Sequence, residues 1–135
     1  MTVQEIQKRL RQFASKEKAK LLQRFFKTGP GDYGEGDIFL GVMVPNIRKV
    51  TKEFQTAPLG EINKLLVSAY HEDRVLALLI LVRQFSTGDE NLKKKIFNLY
   101  LKNTRYINNW DLVDLSAPNI VGTYLLDKSK EHESY

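Results

Sequence analysis

Eight consecutive apolar residues, Val75 through Val82, place the tightest limit on what this chain can become. Wound into a helix, such a run shows no polar side, so neighbours must enclose it on several sides. It is also far short of the roughly 20 apolar residues that cross a bilayer. Val75, Leu76, Leu78, Leu79, Ile80, Leu81 and Val82 therefore predict a central core helix over about 72–84, and the rest of the chain must supply its walls. At 135 residues there is material for one domain that buries about two-thirds of its unfolded surface. Hydrophobic residues at 42% and charged residues at 27% exclude a disordered or low-complexity chain.

The walls are legible as further helices. Thr2 and Glu5 form a capping box, and Val3, Ile6, Leu10 and Phe13 follow at helical spacing to about Ala14. Ser15 caps a second helix in which Leu21, Leu22, Phe25 and Phe26 make an apolar stripe, ending near Thr28. Residues 29–37 carry four glycines and a proline, too much backbone freedom for helix or strand, and predict a shaped turn with at least one positive φ. Pro45 suits a first helical position ahead of Ile47, Val50 and Phe54, and Pro58 opens a helix carrying Ile62, Leu65 and Leu66. Asp89 starts another with Leu92, Ile96, Phe97, Leu99 and Tyr100. Asn108 or Asn109 caps one near Trp110, and after Pro118 a last helix holds Ile120, Val121, Tyr124, Leu125 and Leu126. No segment alternates as a strand would. Seven or eight helices in antiparallel pairs describe an all-α fold, either a compact bundle or a right-handed α-solenoid of HEAT type.

Charge narrows the partners. The net charge is +5, and it comes in blocks: eight bases and two acids in residues 1–30, six and nine in 31–90, five and two in 91–120. Such blocks describe either solvated helix faces or a surface for a polyanion such as nucleic acid. The candidate phosphate contacts are Lys18, Lys20, Arg24, Lys27, Arg48, Lys93, Lys94 and Arg105. With no cysteine, disulfides, thiolate zinc sites and a Cys nucleophile are excluded, and two distant histidines, His71 and His132, suggest no metal site. The N-terminus mixes Glu5 with Lys8 and Arg9 rather than building an apolar signal core, so a cytoplasmic protein without a membrane anchor is expected.

Chemistry concentrates in residues 108–114, where the single tryptophan stands beside two carboxylates. On a helix starting there, Trp110 and Asp114 share one face at i and i+4, while Asp111 is turned about 100° away. Asp111, three residues after Asn108, is accounted for as a first-turn acid favoured by the helix dipole. Asp114 lies beyond that turn. From the residues alone, Trp110 as a core filler with Asp114 solvated stands beside a functional aromatic–carboxylate pair.

The run Lys27-Thr28-Gly29-Pro30-Gly31-Asp32-Tyr33-Gly34-Glu35-Gly36-Asp37, continuing through Phe39-Leu40-Gly41-Val42 and Val44-Pro45-Asn46-Ile47-Arg48-Lys49, resembles the N-terminal signature of the DNA alkylation repair family, the AlkD-like HEAT-repeat DNA glycosylases. Ile107-Asn108-Asn109-Trp110-Asp111-Leu112-Val113-Asp114, followed by Ser116-Ala117-Pro118, resembles its second signature. The resemblance implies an α-solenoid whose basic concave face holds double-stranded DNA and which removes positively charged alkylated purines such as N3-methyladenine and N7-methylguanine. It implies that Trp110 packs on the deoxyribose of the lesion while Asp114 stabilises the developing oxocarbenium and orients water, with no metal or organic cofactor. The alternative is a helical-repeat DNA-binding or scaffold protein without catalysis.

Members of that family are longer by several helices. The expectation is a helical repeat domain over residues 1–126 that is cut short at its C-terminal end, with a polar tail at 127–135. A solenoid ending there exposes the apolar face of its last helix, which invites self-association.

Overall fold

The computed structural model describes residues 1–25 and 38–106. They form six α-helices: α1 (Val3–Arg11), α2 (Lys16–Phe25), α3 (Val44–Glu53), α4 (Leu59–Leu66), α5 (His71–Thr87) and α6 (Glu90–Lys102), with a short 3-10 turn at Thr104–Tyr106. Among the described residues the all-helical expectation holds, with no strand beyond an isolated parallel bridge between Ile38 and Tyr70. No helix of the described residues is long and apolar enough to cross a membrane. The helices expected after Asn108 and after Pro118, the glycine-rich turn at 29–37 and the tail at 127–135 lie outside the described residues.

Local chemistry sets most of the boundaries. Thr2 accepts the Glu5 N–H at 3.2 Å and Asp89 accepts the Leu92 N–H at 2.8 Å, so both expected N-caps form. Ser15 Oγ accepts the Lys18 N–H at 3.3 Å at the head of α2. Pro58 becomes the N-cap of α4 in extended geometry, one place before its expected position, and Pro45 is the second residue of α3, not the first. The helix α1 closes at Arg11, three residues before Ala14, and α5 continues to Thr87, three residues past Gln84.

The core is organised around α5, as its sequence requires. Leu76, Ala77, Leu78, Ile80 and Leu81 are fully buried, and α3, α4 and α6 pack against this helix. Ile47 and Val50 come from α3, Ile62, Leu65 and Leu66 from α4, and Ile96 and Tyr100 from α6. Connections of residues 67–70 between α4 and α5 and 88–89 between α5 and α6 are short, so each helix turns back along its neighbour, the arrangement of antiparallel pairs. The helix α1 lays Val3, Ile6 and Leu10 over α3 and α4.

Polar ties to distant residues fasten α1. The Val3 N–H donates to Glu61 Oε1 at 3.0 Å, and Arg9 holds Glu53 at 2.8 Å. Arg11 grips the buried Asp73 carboxylate with both terminal nitrogens, at 3.3 and 3.0 Å, while Gln7 donates to the same carboxylate at 3.1 Å and Ser68 at 2.7 Å. Leu21, expected in the apolar stripe of α2, is 63% exposed. Ser15 just ahead of that helix and Ala19, Leu22 and Gln23 within it are half-buried, and Leu21 stands about 200° round from Ala19.

Candidate nucleic-acid interface

The helices α2 and α3, which carry candidate cations, are joined through segment 38–43, and that segment is held by one carboxylate. Glu72, 1% exposed at the start of α5, accepts the Leu40 N–H on Oε1 at 2.8 Å and the Gly41 and Val42 N–H groups on Oε2 at 2.8 and 3.0 Å. Three backbone donors converging on one ionisable group are strong, charge-assisted hydrogen bonds. The His71 N–H donates to the Ile38 carbonyl at 2.8 Å, and the His71 ring packs against Phe39 at a 34° tilt with centroids 4.6 Å apart.

Gly41 is the crossing point with α2. Its φ is +82°, and a Cβ there would fall on the Ser15 carbonyl oxygen and within 2.7 Å of the Ala19 nitrogen. Only glycine combines that left-handed backbone with so close an approach. The first turn of α2 thus rests directly on the segment that leads into α3.

On this frame the expected phosphate contacts separate. Lys18, Lys20 and Arg24 are exposed on α2, and Lys20 and Arg24 line one open hollow with Ala19 and Gln23. Arg48 is exposed on α3 and lines a different hollow, with Thr51, Leu79, Val82 and Arg83. Lys94 is exposed on α6, whereas Lys93 leans back with its ammonium 5.6 Å from the centre of the Phe85 ring. Arg105 stacks over Tyr106 at 4.7 Å and donates to its hydroxyl at 2.7 Å. Lys27, Trp110 and Asp114 lie outside the described residues. Among the described residues, the ion pairs engage Arg9, Arg11, Lys64 and the N-terminus; Lys18, Lys20, Arg24, Arg48 and Lys94 pair with no acid. Cations left unpaired at the surface are the ones available to phosphate.

Two acids lie below their ordinary range. The Arg9 guanidinium hydrogen-bonded to Glu53 lowers that carboxyl, with Lys49 adding a smaller attraction. Glu61 is lowered by its hydrogen bond to Lys64 and then by the Val3 N–H. Both are structural ties. Among the described residues no group of three His, Cys, Asp or Glu side chains stands close enough to hold a metal ion.

Sequence reasoning weighed His71 only as a metal ligand and passed over Glu72, Asp73 and Arg74; all four are buried. The signal was present. A helix apolar on every side must be enclosed, so the acids in its first turn are enclosed too and must find donors.

Compared with protein-family models, the chain matches the one described as DNA alkylation repair enzyme over residues 6–135. Neither the curated proteins nor the solved structures compared with the chain gave a significant match.

Proposed function

Since the chain belongs to the DNA alkylation repair enzyme family, we propose that it is a DNA N-glycosylase, or the N-terminal portion of one, acting on duplex DNA that carries cationic alkylated purines such as N3-methyladenine and N7-methylguanine. The observation that carries this reading is the family match along nearly the whole chain, which includes the Trp110–Asp114 signature. The surface cations of α2 and α3 that meet no acid among the described residues support it, because duplex binding draws its non-specific affinity from phosphate neutralisation. In this reading the helix pairs continue as a right-handed HEAT-type solenoid over residues 1–126. Its basic face includes Lys18, Lys20, Arg24, Lys27, Arg48, Lys94 and Arg105, with Lys93 a weaker contributor because of its hold on Phe85.

The chemistry asks little of the protein. An alkylpurine carries a positive charge, so when its bond to C1′ breaks the electron pair leaves with the base and neutralises it. The sugar becomes an oxocarbenium ion, which water attacks at C1′, losing a proton. A carboxylate near C1′ stabilises the charge that develops and orients the water. Asp114 has that role, and Trp110, four residues earlier on the same predicted helix face, packs on the deoxyribose and adds cation–π attraction.

The test is release of N7-methylguanine from methylated duplex DNA by the wild type and by Asp114→Asn. Excision falls at least ~10²-fold in the variant, the scale of losing a preorganised electrostatic contact. Asp111→Asn keeps excision close to wild type. Duplex binding without excision, both in this chain and in a form lengthened by C-terminal repeats, replaces the glycosylase by a helical-repeat DNA-binding protein.

A further inference from the structure

Arg83 was not among the expected contacts, yet it shares a hollow with Arg48. The hollow lies between α3 and α5, measures about 170 Å³, and is completed by Thr51, Leu79 and Val82. That is well below the roughly 300–1,000 Å³ of a typical small-molecule pocket, so it admits a compact group and not a whole nucleoside.

Its electrostatics are one-sided. Both arginines are exposed, and among the described residues neither has a carboxylate partner. The residue four places after Arg48 on α3 is Lys52, a second cation where an acid would have relieved the first. Thr51 brings no opposing charge, and its hydroxyl already donates to the Ile47 carbonyl at 2.8 Å. It is a wall of the hollow and not a donor into it.

Arg83 is also prepared for a ligand. Its Nε donates to Gln55 Oε1 at 2.8 Å, while Gln84 Nε2 donates to the Gln55 and Ala57 carbonyls at 2.9 Å each, fixing the backbone that presents Gln55. Of the five N–H donors of a guanidinium, one is thereby spent on orientation, and among the described residues the terminal four meet no protein acceptor. A planar fork already oriented loses less freedom when it closes on an oxyanion.

We propose that Arg83 and Arg48 form a two-arginine clamp for a single phosphate group, which, on the duplex-binding reading above, is a backbone phosphodiester. One guanidinium approaches from α3 and the other from α5, so the clamp ties the phosphate to the central helix of the core.

Two measurements test the clamp. In the first, duplex DNA binding is followed against salt for wild type, Arg48→Gln, Arg83→Gln and the double variant. Each single variant weakens binding but lowers the slope of log Kobs against log[salt] by less than about 0.9, because the remaining arginine still neutralises the phosphate, and the double variant lowers it by about 0.9, one phosphate's worth. In the second, inorganic phosphate is titrated into isotopically labelled protein while the arginine Nε–H resonances are observed. Those of Arg48 and Arg83 move together in the wild type, and Arg83→Gln abolishes the response of Arg48. Phosphate shifts without duplex binding leave the clamp standing and remove the DNA reading. A slope loss near 1.8 in the double variant overturns the shared grip. Unresponsive arginines together with unchanged slopes overturn the clamp.

Discussion

Replacing Glu72 by Gln tests whether one carboxylate holds the segment that sets α2 and α3. The change keeps the shape of the side chain and removes one of its two acceptor oxygens. Leu40, Gly41 and Val42 all donate to this group, at 2.8, 2.8 and 3.0 Å. Whichever way the amide turns, its NH₂ faces at least one of those N–H groups. A donor left without an acceptor costs about 1–3 kcal/mol. The two surviving bonds lose their charge assistance, about 0.5–1 kcal/mol each, and relief from burying a charge returns part of the total. The net loss is about 2–4 kcal/mol. In a chain of this size each kcal/mol moves the melting midpoint by about 3 °C, so the midpoint falls by roughly 6–12 °C. Urea denaturation followed by circular dichroism measures the loss, with an unchanged m-value showing that the variant still unfolds from a native-like state. Glu17→Gln, at an exposed acid in the first turn of α2, is the control and stays within about 0.5 kcal/mol of wild type. If Glu72→Gln loses no more than that control, the carboxylate does not hold the segment.

Two glycines give opposite signs under the same substitution. Gly41→Ala puts a Cβ onto the Ser15 carbonyl at a φ of +82° and destabilises by at least about 2 kcal/mol, whereas Gly60→Ala meets nothing within 4 Å and stabilises by about 0.4–1 kcal/mol; paired melts of the two variants check this. The lowered carboxyls of Glu53 and Glu61 contribute stability that is present above the ordinary carboxylate value of about 4.3 and is lost as pH falls through their folded-state values. Denaturation midpoints at pH 7 and pH 3.5 therefore differ less in Glu53→Gln/Glu61→Gln than in wild type.

The helices were legible because burial repeats every three or four residues and caps are local. Thr2, Asp89 and the aliphatic face of Leu76, Ile80 and Leu81 all read correctly from neighbours in the chain. What stayed hidden depends on partners far away in sequence. Gly41 stands outside the glycine-rich run, and its positive φ answers to Ser15 and Ala19, which no local pattern connects to it. Asp73 reads as a first-turn acid until Arg11, 62 residues earlier, is seen on it. Leu21 has the spacing of a core residue, but α2 rests on its first turn and leaves that side in solvent. Of the candidate interface, Arg48 was legible as a cation on an amphipathic helix. Arg83 was not, because it follows directly on the apolar run and only the packing of α3 beside α5 gives it a partner.

The ties of α1 bear on the order in which the chain assembles. The α4–α5 and α5–α6 pairs join consecutive helices over short connections, and α3 reaches α5 across α4 alone, so these contacts form early and at little loop-closure cost. The bonds of α1 span 58 residues from Val3 to Glu61 and 62 from Arg11 to Asp73, and have nothing to dock on until α4 and α5 are in place. Closure by α1 is thus a late event on the folding route. Weakening the Arg11 grip acts on the rate at which the native protein opens and leaves the rate of forming its nucleus nearly untouched. The lifetime of the assembled state therefore rests on α1, and its birth on the packing of α3 to α6.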